Sequence, residues 1–86
     1  PHLEAEARRD YADRVAETPT LPRDVAVSLA SDPDADVARL VLKLSPVLTD
    51  TDLAAIAVTQ SQRHLVAIAE RARLSESVTD ILVERG

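Results

Sequence analysis

Cysteine, methionine, phenylalanine and tryptophan are absent from this 86-residue chain, and tyrosine and glycine occur once each. Without cysteine, no disulfide reinforces the core and no thiolate holds zinc. The one glycine is the last residue, Gly86, which excludes a glycine-rich phosphate loop and the glycine at the centre of an EF-hand. A lone aromatic, Tyr11, leaves nothing on which successive nucleobases would stack. No apolar run approaches the roughly 20 residues that span a bilayer, and the opening "PHLEAEARRD" is charged where a signal peptide is apolar. These absences indicate a soluble, cytoplasmic chain with no membrane contact, no cofactor and no metal site.

What is present is aliphatic and small: 14 Ala, 11 Leu, 10 Val and 3 Ile. A chain of this length buries only a little over about 60% of its unfolded surface, so its core is marginal and gains from a partner or a second copy. Formal charge is -5. Residues 1–60 hold 11 acids against 6 bases, whereas residues 61–86 hold 4 of each. A nucleic-acid binder gathers Lys and Arg on one face, and along the sequence no such cluster stands out. Nine Arg to one Lys, with abundant Ala and Val, fit a GC-rich bacterial genome.

The five prolines, at positions 1, 19, 22, 33 and 46, punctuate the chain. Sustained alternation and Asn-Gly or Asp-Gly turns are missing, so strands are not expected. Helical spacing recurs instead. Leu3, Ala7, Tyr11 and Val15 mark a first helix over about residues 3 to 17, closed by "TPTLP", and a second runs from near Pro22 to Ala30. In "SDPDADVARLVLKLSP", Asp32 is the expected N-cap with Pro33 at the first helical position, and Asp34 and Asp36 favour the positive end of the dipole. Val37, Leu40, Val41 and Leu44 form its stripe. Ser45 precedes Pro46 and is pushed out of helical angles.

A fresh start follows in "LTDTDL", where Thr49 caps and Asp50 and Asp52 load the first turn ahead of Leu53, Ile56 and Ala57. The order Leu, hydroxyl, acid, hydroxyl returns at Leu74, Ser75, Glu76 and Ser77, followed by Val78, Ile81 and Leu82. Between them Ser61 caps a helix bearing Leu65, Ile68, Ala69 and Ala72, although nothing from Asp52 to Arg73 strictly breaks one longer helix. "VSLASDPDADVARLVL" and "VAIAERARLSESVTDILV" echo each other some 40 residues apart. The expected fold is all-α, a single domain over residues 1–86. Five or six short antiparallel helices stack as HEAT-like repeats in a right-handed solenoid fragment. A non-repetitive bundle of the same helices is the competing arrangement.

The succession "VAVSLASDPDADVARLVLKLSPVLTDTDLAAIA" and then "HLVAIAERARLSESVTDILVERG" resembles an alphaproteobacterial family of uncharacterised proteins known as domain of unknown function 2336. The resemblance spans residues 20 to 86 and, more weakly, the first helix. It implies a longer, all-helical, HEAT-like protein of which this chain is an early portion continuing past Gly86, and it transfers no catalytic motif.

Among chemically capable residues, His64 opens a helix with Arg71 seven positions on, nearly the same face, where the two would receive an acidic group from a partner. The competing expectation packs His64 at the edge of an inter-helix groove, with Arg71 solvated or paired. His2 lies in a terminal segment. The aspartates at 32, 34 and 36 and at 50 and 52 read as helix caps. Arg71, Arg73 and Arg85 are the nearest approach to a basic group, among Glu70, Glu76, Asp80 and Glu84. The sequence thus indicates a non-enzymatic module that binds another protein and self-associates, with His64, Arg71, Arg73 and Arg85 as candidate contact residues. A nucleic-acid-binding regulator using Arg63, Arg71, Arg73 and Arg85 is the rival. An enzyme whose active site lies in another part of a longer protein is the third reading.

Overall fold

In the computed structural model, which describes residues 2–86 and side chains from residue 4 onward, six α-helices follow in order: α1 His2–Val15, α2 Arg23–Ala30, α3 Ala35–Leu44, α4 Asp50–Thr59, α5 Gln62–Ala69 and α6 Glu76–Arg85. No strand occurs among the described residues. The side chains of His2 and Leu3 lie outside the described residues.

Most boundaries have the causes expected of them. Ser45 is extended ahead of Pro46, at φ -63° and ψ 124°, and its hydroxyl accepts the Val47 amide at 3.2 Å. Thr49 builds a capping box on α4. Its hydroxyl accepts the Asp52 amide at 3.2 Å while the Asp52 carboxylate accepts the Thr49 amide at 3.1 Å. Ser75 repeats half of this device, accepting the Val78 amide at 3.3 Å.

Other boundaries correct the expectation. The N-cap of α3 is Asp34, which accepts the Asp36 amide at 2.9 Å, and not Asp32, which accepts the Asp34 amide at 2.9 Å in the turn before it. Two successive Asx turns displace the cap by two residues and leave Pro33 outside the helix. The stretch from Asp52 to Arg73 contains two helices, because Gln60 and Ser61 are both extended. The first helix ends at Val15, where a turn closed by the Thr18 amide on the Val15 carbonyl begins.

Side-chain ties give the helix directions. Arg63 at the start of α5 pairs with Asp36 at the start of α3, while Arg71, just past α5, reaches carbonyls at the end of α3. These two helices therefore run parallel, side by side. Arg85 in the last turn of α6 reaches carbonyls at the end of α4, against which α6 packs, so α4 and α6 are parallel as well. Arg23 at the start of α2 is joined to Asp52 in the first turn of α4. Central α3 touches α1, α2 and α5.

That central position explains the burial pattern. Val37, Ala38, Val41 and Leu42 are all fully buried, a wider arc than a one-sided stripe, whereas Leu40 is half-buried and Leu44 is 38% exposed. At the first helix the inward residues are Ala12 on α1 and Ala16 just past its end, each one position on from the expected Tyr11 and Val15, and Tyr11 is 48% exposed. A four-residue spacing drifts off a 3.6-residue turn, and alanines permit the closer approach to α3. On α5 the buried set is His64, Leu65, Ala67 and Ile68, while Ala69 and Ala72 face outward. Val78 is the buried residue of α6, with Ile81 and Leu82 half-buried. Large side chains such as Leu42 and Ile68 each contribute roughly 2–3 kcal/mol of apolar burial, so the loss of one is felt by a small core.

Candidate functional site: the groove between α3 and α5

Polar side chains lace the stack, and they account for three of the four candidate contact residues. His64 is 1% exposed. Its Nε2 lies 2.8 Å from the Asp32 carbonyl oxygen and its Nδ1 lies 2.7 Å from Ser61 Oγ. A carbonyl only accepts, so Nε2 carries the proton and Nδ1 accepts from the serine hydroxyl. Ser61 thus holds the imidazole and not a backbone amide. Asp32 is the hub of this corner: its carboxylate also takes Arg8 Nε of α1 at 3.0 Å. Both nitrogens of His64 are committed internally, which leaves none for an incoming acid.

Arg71 serves the C-terminal end of α3. Nη1 donates to the Leu42 carbonyl at 2.5 Å and Nη2 to the Ser45 carbonyl at 2.8 Å, groups with no intrahelical donor of their own. Burial pushes its guanidinium pKa down from the ordinary value. Arg85 does the same for α4, donating from Nη1 to the Ala57 carbonyl at 2.5 Å and the Gln60 carbonyl at 2.8 Å. Arg85 therefore stands at the end of the α4 and α6 pair and does not join Arg71. Arg73 is exposed beyond α5.

Between α3 and α5 runs a groove in two parts. Ala35, Arg39, Arg63, Val66, Ala67 and Glu70 line a recess of about 190 Å³. Lys43, Leu44, Arg71 and Arg73 are among the residues around a second space of about 440 Å³, which also borders Glu70 and so continues the first. Five of the chain's ten Lys and Arg residues line these two spaces, against one of its fifteen acids, Glu70. The groove is thus a basic strip on an acidic protein. Arg63 is paired with Asp36 at its rim and Arg71 is held by carbonyls, so Arg39, Lys43 and Arg73 are the groove's cations without a hydrogen-bond or ion-pair partner among the described residues.

Arg39 and Lys43 escape a reading of the sequence that looks for neighbouring basic residues. They are four apart on the face of α3 opposite its buried arc, and their companions come from α5. The echo along the sequence matches α2 with α5 and α3 with α6, so it gives no sign that α5 lies beside α3.

The family described as an uncharacterised protein conserved in bacteria, DUF2336, matches residues 37–86, from the first turn of α3 through α6. The match leaves α1, α2 and the turns around them outside, a shorter reach than the resemblance from residue 20 suggests. No curated protein and no solved structure matches the chain. With more than half of its length matched, the chain belongs to the uncharacterised bacterial family DUF2336.

Proposed function

We propose that this chain is a HEAT-like, helical-repeat module that binds another protein and carries out no reaction itself. One observation carries the reading: the same tie is used twice, an arginine at the end of one helix closing the carbonyls of the helix two before it, Arg71 on α3 and Arg85 on α4. A contact repeated along the stack is what repeat proteins are built from, since each unit is stabilised by its neighbour. Such stacks present long side surfaces, and the groove along α3 and α5 is one. The test is in-cell crosslinking, followed by titration of the purified chain with each partner recovered. A saturable, specific complex supports the reading, and failure of every recovered partner to bind the purified chain overturns it.

The basic strip also motivates a second reading, a nucleic-acid-binding regulator working through Arg63, Arg71 and Arg73. It predicts binding to DNA or RNA that weakens steeply with salt. Arg71 and Arg63 are already engaged, and Arg85 lies on the other pair of helices, so the protein-binding reading is the stronger.

A further inference from the structure

The groove between α3 and α5 differs from the rest of the surface in two ways at once. Its floor is apolar, formed by Ala35, Val66 and Ala67, and Val66 is 62% exposed. Its margins hold the unpaired cations Arg39, Lys43 and Arg73. An exposed valine between cations has no structural use in the chain itself, because α5 already buries Leu65 and Ile68 on its other side.

Resting on the protein-binding reading, we propose that this groove docks an acidic, amphipathic segment of a partner protein, with an aliphatic side chain over Val66 and carboxylates on Arg39, Lys43 and Arg73. Three considerations select this occupant. The recess of about 190 Å³ and the space of about 440 Å³ that continues it form an open trough along α3 and α5 and not an enclosed cavity, a shape that suits side chains presented along a peptide. The chain carries -5 overall, so a local excess of cations selects a partner of opposite sign against the repulsion of the remaining surface. A nucleic-acid strand would need a denser row of cations and aromatic platforms, and Glu70 stands in the middle of the groove while the sole aromatic, Tyr11, is on α1.

The experiment pans a display library of random peptides, about a dozen residues long, against the chain and against Arg39→Glu/Arg73→Glu. Both substituted side chains are exposed, and circular dichroism confirms that the helices of the variant persist. Sequences combining Asp or Glu with Leu, Ile, Val or Phe are expected to be enriched on the chain. They should bind at least about tenfold more weakly to the charge-reversed variant and to Val66→Asp. Glu70→Gln should strengthen the same peptides, because it removes the groove's only acid. Enrichment of basic or uncharged peptides, no enrichment at all, or acidic peptides that bind the variant equally well would overturn the proposal. So would tighter binding of single-stranded DNA than of any peptide through Arg39 and Arg73. A crosslinked partner that binds the purified chain yet is indifferent to Arg39→Glu/Arg73→Glu sinks the groove while leaving the protein-binding reading intact.

Discussion

Replacing Asp52 with alanine removes an acceptor that serves two elements at once. The carboxylate is 6% exposed and takes Arg23 Nε at 3.0 Å, Arg23 Nη2 at 2.5 Å and the Thr49 amide at 3.1 Å. The Arg23 guanidinium, first of all, holds its pKa at about 2, below the usual 3.8, against the opposing effect of burial. That displacement sets a ceiling of roughly 2.5 kcal/mol, but Arg23 is 58% exposed and well screened, so the pair is worth about 1 kcal/mol. Loss of half the capping box adds about 1 kcal/mol, giving about 2 kcal/mol in all. Against the few kcal/mol of a small domain this is a large fraction. Because the folded pKa is depressed, the contribution is fully present above pH 3.8 and disappears as pH falls through about 2. Urea titrations followed by circular dichroism should show the gap between the chain and Asp52→Ala constant at neutral pH and closing across that acidic window. Arg23→Ala should destabilise less than Asp52→Ala, and the double variant should show that the two losses are not additive. A gap under about 0.5 kcal/mol at pH 7, or one unchanged at pH 2, would refute the assignment.

Other perturbations separate internal ties from free surface. Arg71→Met leaves the Leu42 and Ser45 carbonyls without donors and should cost about 2 kcal/mol in urea, with Arg71→Lys restoring only part because an ammonium lacks the fork. Arg85→Met should cost less, about 1 kcal/mol, and its effect should appear as faster amide exchange at the end of α4, since Arg85 is exposed. Long-range nitrogen NMR should find the His64 proton on Nε2 at neutral pH, and a proton on Nδ1 instead would refute the bond from Nε2 to the Asp32 carbonyl. Leu42→Ala should destabilise by about 3 kcal/mol while Tyr11→Ala stays within about 0.5 kcal/mol, the reverse of what a Tyr11 stripe predicts.

Local chemistry was the legible part of the fold. Pro46 and Ser45, the Thr49 cap and the echo at Ser75 are decided by residues within four positions of one another, and all appear where the sequence puts them. Burial on α1 and α3 was less legible, because it depends on how many neighbours each helix has. Spacing alone marks one stripe, yet α3 is covered by three helices and α1 turns Ala12, not Tyr11, inward. The Asp32 cap failed for a different reason: three aspartates at alternate positions offer two competing caps, and the contacts of Asp32 with Arg8 and His64 favour the later one.

The candidate site was the least legible of all, and the reason lies in how this chain uses its cations. An acidic protein whose helices end in unpaired carbonyls uses Arg71 and Arg85 to close them, and pairs Arg8, Arg23 and Arg63 with aspartates on other elements. A row of arginines near the C-terminal end of the sequence therefore says little about binding, because Arg63, Arg71 and Arg85 are tied by hydrogen bonds to other helices of the stack. What remains for a partner in the groove is Arg39, Lys43 and Arg73, which have no internal carbonyl or carboxylate partner among the described residues and come from segments about 30 residues apart, whereas the equally unpartnered Arg9 lies away on α1. Only the parallel packing of α3 on α5 gathers them along one groove, Arg39 beside the exposed Val66 and Lys43 and Arg73 around the adjoining space. Specificity in such a module is then set by the few cations that the fold does not use on itself, and a substitution that freed Arg71 would enlarge the basic strip while weakening the helix that carries it.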